Sequence, residues 1–367
     1  MIKALYVHIP FCRKFCPYCD YPKTLYSAST IEQYIESLLL DIKNLNIAKH
    51  SLKTIYFGGG TPNCLPFESM KTLLTNLAPL IDKKSKYEWT IEMNPELISR
   101  DILELVRSYG VNRISLGVQT FNDYQLELLG RLVNRETILN QLRLVGEYFD
   151  NYSVDLIYGL PEDDLDVLKE NLRLLHEFNV PHISVYPLTV HRNTEYYRSG
   201  IKEQDEDKYV EFTYMINTVL KSYGYSHYEI VNYARTPENE SMHNKVYWTA
   251  SEYFGAGAGA HAYVDKKRYS KDRNVVAYIS DSLKQENKVS VSFEEQKEEF
   301  ISLGLRLKSG ISFAMYKKRF GARFPEVVLD RIHSSSLKKH FLLSKRRLAV
   351  KEKSFVILDY LIRKILF

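Results

Sequence analysis

The apolar positions of this chain recur in two rhythms. Over roughly the first 190 residues, short apolar runs alternate with longer stretches whose apolar side chains return every three or four positions. The runs predict strands at Leu5–His8, Thr54–Phe57, Trp89–Met93, Arg113–Gly117, Ser153–Ile157 and His182–Tyr186. The longer stretches predict helices over Ile31–Asn44, Glu68–Ile81, Arg100–Tyr109, Glu136–Tyr148 and Leu165–Phe178. In the first helix Tyr34, Ile35, Leu38, Leu39 and Ile42 share one side, and Ser29-Thr30-Ile31-Glu32 reads as a capping box at its start. Strands alternating with helices imply a parallel sheet. Polar and glycine positions decide how it closes, because Cys12–Cys19, Gly58–Thr61, Glu92, Gln119 and Asp155 fall in or just after successive strands. In a β/α barrel such positions converge on one mouth, whereas an open sheet spreads them along an edge. The expected fold class is therefore α/β, a partial (β/α)6 TIM-like barrel.

Beyond Tyr186 the rhythm changes. Pro187–Asp205 reads as a polar loop, Lys208–Tyr223 as an amphipathic helix, and Tyr225–Ala262 is rich in Tyr, Asn, His and Gly. Further on, helices are expected near Glu294–Leu307 and Phe313–Phe320, strands at Arg347–Val350 and Ser354–Leu358, and a last helix at Asp359–Ile365. Helices plus a hairpin suit a small winged-helix-like module. The expected division is a barrel core over residues 1–200, an accessory extension over 201–290 and a basic C-terminal domain over 291–367.

Charge sharpens that last boundary. The chain carries a net +5, yet Lys308–Phe367 holds 15 Lys and Arg against 4 Asp and Glu, leaving 35 against 41 elsewhere. A basic tail on a mildly acidic body can meet nucleic acid, an anionic membrane surface or an acidic partner; a solvated charged face is the plainer explanation, and nucleic acid is not expected. With 45% hydrophobic residues the chain can bury a sizeable core. No apolar run is long enough to span a membrane, and Met1-Ile2-Lys3 leads straight into a strand with no signal-peptide pattern, so a cytoplasmic location is expected.

Three of the four cysteines lie within eight positions, as Cys12, Cys16 and Cys19. Thiolates suit zinc, Cu(I) or iron–sulfur clusters. Structural zinc favours two close ligand pairs, and a disulfide would strand one thiol. A cubane cluster with three protein thiolates and one open iron fits the C-x3-C-x2-C spacing best, ahead of zinc or redox alternatives. Cys64 reads as a small buried residue. The Gly58-Gly59-Gly60 run matches neither the dinucleotide fingerprint nor the P-loop, but it lets a ligand approach the backbone. Glu92 and Asp155 sit among apolar strand neighbours, where a carboxylate needs a partner. Gln119 and Arg131 could complete the polar shell.

Taken together, Tyr6-Val-His-Ile-Pro-Phe-Cys12 with Cys16 and Cys19, Gly58-Gly-Gly-Thr-Pro62, Gly117-Val-Gln-Thr-Phe121 and Asp155-Leu-Ile-Tyr-Gly-Leu-Pro161 resemble radical S-adenosylmethionine (SAM) enzymes. More narrowly, they resemble the branch around oxygen-independent coproporphyrinogen III oxidase, over essentially the whole chain. The resemblance implies a [4Fe–4S] cluster on Cys12, Cys16 and Cys19, with SAM chelating the open iron and cleaved by an electron to a 5′-deoxyadenosyl radical. It also implies SAM contacts at Tyr6, Tyr18, Gly59, Gly60, Thr61, Glu92, Gln119, Arg131, Asp155 and Thr189, and an electron donor such as a flavodoxin or ferredoxin. Two departures separate this chain from the oxidase: Tyr21 stands where the oxidase has a fourth cysteine, and no extension precedes the first strand. Instead, His243-Asn-Lys-Val-Tyr-Trp248 resembles a motif of the haem chaperones in the family. That implies haem as a further cofactor, His243 as its axial ligand, and an acceptor protein for haem. His261 is a second candidate ligand. The expected function is haem binding and transfer by a monomer or dimer; oxidative decarboxylation of coproporphyrinogen III is the alternative.

Overall fold

The computed structural model describes residues 2–334 and 336–367. Six parallel strands form its centre: β1 (Ala4–Ile9), β2 (Thr54–Gly59), β3 (Glu88–Met93), β4 (Arg113–Gln119), β5 (Tyr152–Tyr158) and β6 (His182–Pro187). They are joined by α1 (Ala28–Asn44), α2 (Phe67–Leu77), α3 (Arg100–Tyr109), α4 (Arg135–Tyr148) and α5 (Leu165–Glu177). Helix α3 shows the local logic. The Ser99 side chain accepts from the Ile102 amide at its start, Gly110 ends it in the left-handed region, and Ile102, Leu103, Leu105 and Val106 face the sheet. Each such apolar side chain, fully buried, contributes about 1.5–3 kcal/mol.

The chain that follows enlarges the sheet at both edges. Helix α6 (Glu206–Ser222) leads to β7 (Ser226–Glu229) and β8 (Asn232–Ala234); β8 runs antiparallel to β6, and β7 antiparallel to β8. After α7 (Met242–Trp248), β9 (Phe254–Ala256) pairs in parallel with β1 at the opposite edge, Leu5 facing Phe254 and Val7 facing Ala256. The order β9-β1-β2-β3-β4-β5-β6-β8-β7 is an arc, not a closed ring. A small antiparallel sheet of β10 (His261–Val264), β11 (Lys267–Ser270) and β12 (Glu286–Ser290) follows.

A second apolar core lies in the C-terminal part. It gathers Phe300, Tyr316, Phe320, Ile332, Leu348 and Leu361 from α8 (Phe293–Gly304), α9 (Phe313–Phe320), α10 (Glu326–His333), β15 (Arg347–Val350) and α11 (Leu358–Leu366). Strand β15 is the middle of a three-stranded sheet, between β13 (Ile311–Ser312) and β14 (Phe341–Leu343). The Lys308 amide donates to the Tyr228 carbonyl at 2.9 Å, and the Arg319 guanidinium donates to the Thr249 carbonyl at 2.8 Å, tying this core to the barrel.

Three local expectations need correction. Helix α1 starts at Ala28, with Ser27 as its cap; Ala28 and Ser29 continue a helix readily, so Ser29-Thr-Ile-Glu32 lies inside the first turn. A capping box does form, at Ser292 and Glu295. Pro187–Asp205 contains a helical turn, Glu195–Arg198, which buries Tyr196. The expected strand Ser354–Leu358 falls largely within a 3-10 helix, Glu352–Ile357. Phe355, Leu358, Leu361, Ile362 and Ile365 are all buried in the second core, a helical spacing that runs on into α11, so the hairpin partner of β15 is β14.

A buried ion pair fastens α1 to the later segment. Lys271 Nζ lies 2.6 Å from Asp41 Oδ1 with both side chains almost fully buried, and Asp41 Oδ2 accepts from Tyr278 Oη at 2.9 Å and the Gly257 amide at 3.2 Å. Asp41→Ala strands the lysine and is expected to cost about 3–5 kcal/mol in denaturant unfolding. The double variant Asp41→Asn/Lys271→Met, which keeps an acceptor for Tyr278 Oη and the Gly257 amide, should recover most of that loss.

Candidate functional site at the barrel mouth

Strand alternation aims every second side chain at the interior of the arc. On β1 these are Tyr6 and His8; on β2, Thr54, Tyr56 and Gly58; on β3, Glu88, Thr90 and Glu92; on β4, Arg113, Ser115 and Gly117; on β5, Ser153 and Asp155. The interior is thus polar from floor to mouth.

At the mouth, Glu92 accepts from Tyr56 Oη at 2.7 Å and from the Gly59 amide at 3.2 Å. Burial nevertheless pushes its carboxyl up to about 7, with the nearby Asp155 charge adding and those two hydrogen bonds opposing. Asp155 is raised for the same first reason, against hydrogen bonds from Ser184 and Ser115, the latter 3.1 Å away. No cation of this chain pairs directly with either carboxylate among the described residues. Tyr21 and Tyr186 expose ring surface, 63% and 39%, although protein surrounds both deeply enough to raise their phenols, Tyr21 to about 12. The Asp155 charge also raises both phenols, so the two tyrosines stand near the carboxylates of the mouth.

The cysteine loop lies beside this mouth, Cys19 acting on Tyr21 together with Glu92 and Asp155. Cys12 is buried; Cys16 and Cys19 are partly exposed. Burial pushes the Cys12 thiol up to about 11, against a hydrogen bond from Thr61 Oγ1 at 3.7 Å, and burial also raises Cys19. Holding these sulfurs as thiolates calls for a cationic partner. No three His, Cys, Asp or Glu side chains among the described residues are gathered tightly enough for a single metal ion. Three thiols on one loop, each able to bind a different iron, are a donor set that fits a cubane cluster.

Glycines shape the neighbouring wall. Gly59 has φ 119°, and a Cβ there would lie 2.6 Å from the His8 ring; at Gly60 it would lie 2.8 Å from the Phe11 carbonyl. His8 is the bracket between these parts. Its Nε2 lies 2.8 Å from the Pro22 carbonyl, which can only accept, so Nε2 carries the proton and Nδ1 accepts from Tyr6 Oη at 3.0 Å. Burial lowers His8 to about 4, keeping it neutral.

On the far side, Arg131 donates to the Gly117 carbonyl at 2.7 Å and pairs with Glu96 at 3.3 Å, leaving its buried Nε without a partner. Tyr18 packs on Tyr196, and its phenol is raised first by burial and then by Cys16. Gln119 holds φ 73° at a bulge in β4, and Gly117 packs against both its amide and Asn94. Thr189 is exposed just past β6.

His243 lies below the mouth, its ring 5.1 Å from that of Tyr56, the residue that donates to Glu92. It belongs to α7, not to a loop, and α7 closes the floor of the barrel at the opposite ends of the strands. Its Nδ1 lies 2.9 Å from Thr54 Oγ1 and its Nε2 2.9 Å from Tyr247 Oη, and burial lowers it to about 3. The Glu88 carboxylate accepts from the Met242 and His243 amides at 2.8 and 2.9 Å, capping α7 from below. As placed, neither ring nitrogen is open to a ligand. His261 is exposed on β10.

Sequence reasoning passed over Tyr56, His8 and Asn94. Asn94 exchanges two hydrogen bonds with Asn63 and donates to Thr61 Oγ1 at 3.2 Å, next to Cys12. The signal for the first two was there: each lies two residues from a site position on the same strand.

Comparison with known proteins agrees with this geometry. Residues 6–175 match the radical SAM superfamily, and residues 291–339 match the HemN C-terminal domain. The heme chaperone HemW of Lactococcus lactis is 34% identical over 359 residues, spanning 96% of this chain and 94% of that protein. The chain belongs to the HemW family of radical SAM proteins. The Bacillus subtilis HemW is 33% identical over 90% of this chain and 91% of its own length, and the Escherichia coli HemW 35% identical over 71% and 70%. The solved structure of E. coli coproporphyrinogen III oxidase, HemN, covers 99% of this chain and 90% of its own with a TM-score of 0.84 at 20% identity, which shows the shared fold. No helix among the described residues is long and apolar enough to cross a membrane.

The raised Glu92 makes a stability prediction. A carboxyl near 7 when folded and near 4.5 when unfolded holds its proton only in the folded state between those values, so it removes stability as pH rises through that window. Glu92→Gln should flatten the pH dependence of unfolding between pH 4.5 and 7 and stabilise the protein at pH 8, as read by urea denaturation.

Proposed function

We propose that this protein is a haem chaperone that binds haem and a SAM-ligated [4Fe–4S] cluster and passes haem to an acceptor protein. The observation that carries the proposal is similarity to curated haem chaperones over nearly the full chain. Tyr21, in the place of the fourth cysteine expected of the oxidase, points the same way. The cluster would be held by Cys12, Cys16 and Cys19. SAM would meet Tyr6, Tyr18, Gly59, Gly60, Thr61, Glu92, Gln119, Arg131, Asp155 and Thr189.

What supports the SAM assignment is the charge of the mouth. Glu92 and Asp155 are carboxylates without a cation, and a sulfonium ligand with ribose hydroxyls supplies both positive charge and donors. The cluster, when bound, supplies one-electron reduction at its open iron. The chain's own part is to keep Tyr56 and the Gly59 amide on Glu92, to hold Asp155 between its serines, and to clamp the Gly117 carbonyl with Arg131. In the same proposal the protein is cytoplasmic, takes electrons from a flavodoxin or ferredoxin, and divides at about residues 200 and 290. An anionic membrane remains a candidate contact for its basic end, and the oligomeric state is monomer or dimer.

The test uses anaerobically reconstituted protein with SAM and reductant, given either haem or coproporphyrinogen III. Stoichiometric haem uptake without loss of porphyrin carboxyl groups is expected; stepwise loss of two carboxyls would replace the chaperone with the oxidase. For His243 to ligate iron, its Nε2 must leave Tyr247. Tyr247→Phe is therefore expected to speed haem uptake and His243→Ala to abolish it, with iron and sulfide content unchanged in both. If both variants load haem like the parent, the ligand lies elsewhere, and His261→Ala is the next variant.

A further inference from the structure

The C-terminal part sets a helix pair, α9 and α10, beside the β14–β15 hairpin. Strand β14 is an outer strand of its sheet, and no strand pairs with its outer edge among the described residues. The hydrogen bonds fix which backbone groups face that edge. The Lys351 amide donates to the His340 carbonyl at 2.8 Å, and the Ser344 amide to the Arg347 carbonyl at 3.0 Å. Bonded pairs alternate in an antiparallel ladder. Leu342 therefore shares its bonds with Ala349, while the amides and carbonyls of Phe341 and Leu343 point away from β15. Native sheets blunt such an edge with charge or proline on the strand itself. Phe341-Leu342-Leu343 carries neither.

A groove of about 670 Å³ is lined by this strand and the end of α10. Its apolar side chains are Ile332, Phe341 and Leu343, and its ammonium groups are those of Lys338, Lys339 and Lys351. His340 feels that charge: its proton affinity is lowered first by burial and then by Lys339, Lys353 and Lys351. Of the four acids beyond residue 307, Glu352 is paired with Lys308 at 2.9 Å and Asp359 with Arg306 at 2.7 Å. The other two, Glu326 and Asp330, are exposed on α10. In a helix-turn-helix pair the second helix is the one laid against nucleic acid, and two carboxylates on it oppose phosphate. Open backbone donors and acceptors, an apolar floor and a cationic rim together complement an extended acidic peptide. We propose that the outer edge of β14 and its groove bind an extended acidic segment of a partner protein as an added strand. The segment's apolar side chains lie over Ile332, Phe341 and Leu343, and its carboxylates meet Lys338, Lys339 and Lys351. None of these residues is a candidate for the cluster, SAM or haem, so the proposal stands apart from those readings.

The probe is a fluorescein-labelled peptide of about eight residues that alternates Glu with Val, titrated into the full-length protein and read by anisotropy. Affinity should fall with salt. Lys338→Glu/Lys339→Glu should weaken binding by about tenfold or more. Lys317→Glu/Lys318→Glu, on the exposed side of α9, serves as control and should bind as the parent does. Peptides N-methylated on alternate amides separate strand addition from charge alone: one register should lose binding by about tenfold or more and the other should keep it. With the unmodified peptide bound, hydrogen exchange should slow at the Phe341 and Leu343 amides. Equal binding of the two N-methylated registers, or binding undiminished in Lys338→Glu/Lys339→Glu, overturns the proposal. No peptide binding by the parent overturns it as well; attachment to phosphatidylglycerol vesicles or to double-stranded RNA, lost in the same lysine variant, would then assign the groove to a lipid surface or to nucleic acid.

Discussion

The structure depends on a barrel interior that holds more negative charge than the chain itself neutralises. Glu92 and Asp155 lie together at the mouth, the Asp155 charge adds to the proton affinity that burial gives Glu92, and their hydrogen bonds come from hydroxyls and one amide. Such a site is poised for a cation or a proton. At the floor the same problem is solved internally, because the Glu88 carboxylate meets the amide end of α7. One acid thus serves the architecture, and two are left at the mouth.

The scaffold was legible because its information is local. Strand and helix periods along the first half place six strands and the five helices between them, and the convergence of polar positions selects the arc. The cysteine spacing and the glycine run mark the mouth for the same reason. What was not legible depends on distant residues. Nothing near Leu5 says that Phe254 lies beside it, and the pairing of Asp41 with Lys271 joins positions with no common motif. At Ser354–Leu358 the residues fit either period, and the far side of the second core decides for a helix.

His243 marks the other limit. A sequence motif names residue types, but not which end of a barrel they occupy. The helix that carries it plugs the floor, where its ring completes a hydrogen-bond chain from Thr54 to Tyr247. A metal could bind this ring only by displacing one of those two hydrogen bonds, at a local cost in packing.

The pairing of β1 with β9 has a bearing on how the protein is made. The strand that delivers Cys12 is among the first segments to leave the ribosome, yet its outer neighbour, Phe254–Ala256, is synthesised some 250 residues later. The Ala258 amide, just beyond it, donates to Tyr34 Oη, which in turn donates to the His8 carbonyl. Until that segment emerges, the cysteine loop lacks one wall of its support. Long-range pairing of this kind is slow to form. The support of the cysteine loop is therefore complete only after two thirds of the polypeptide has been synthesised.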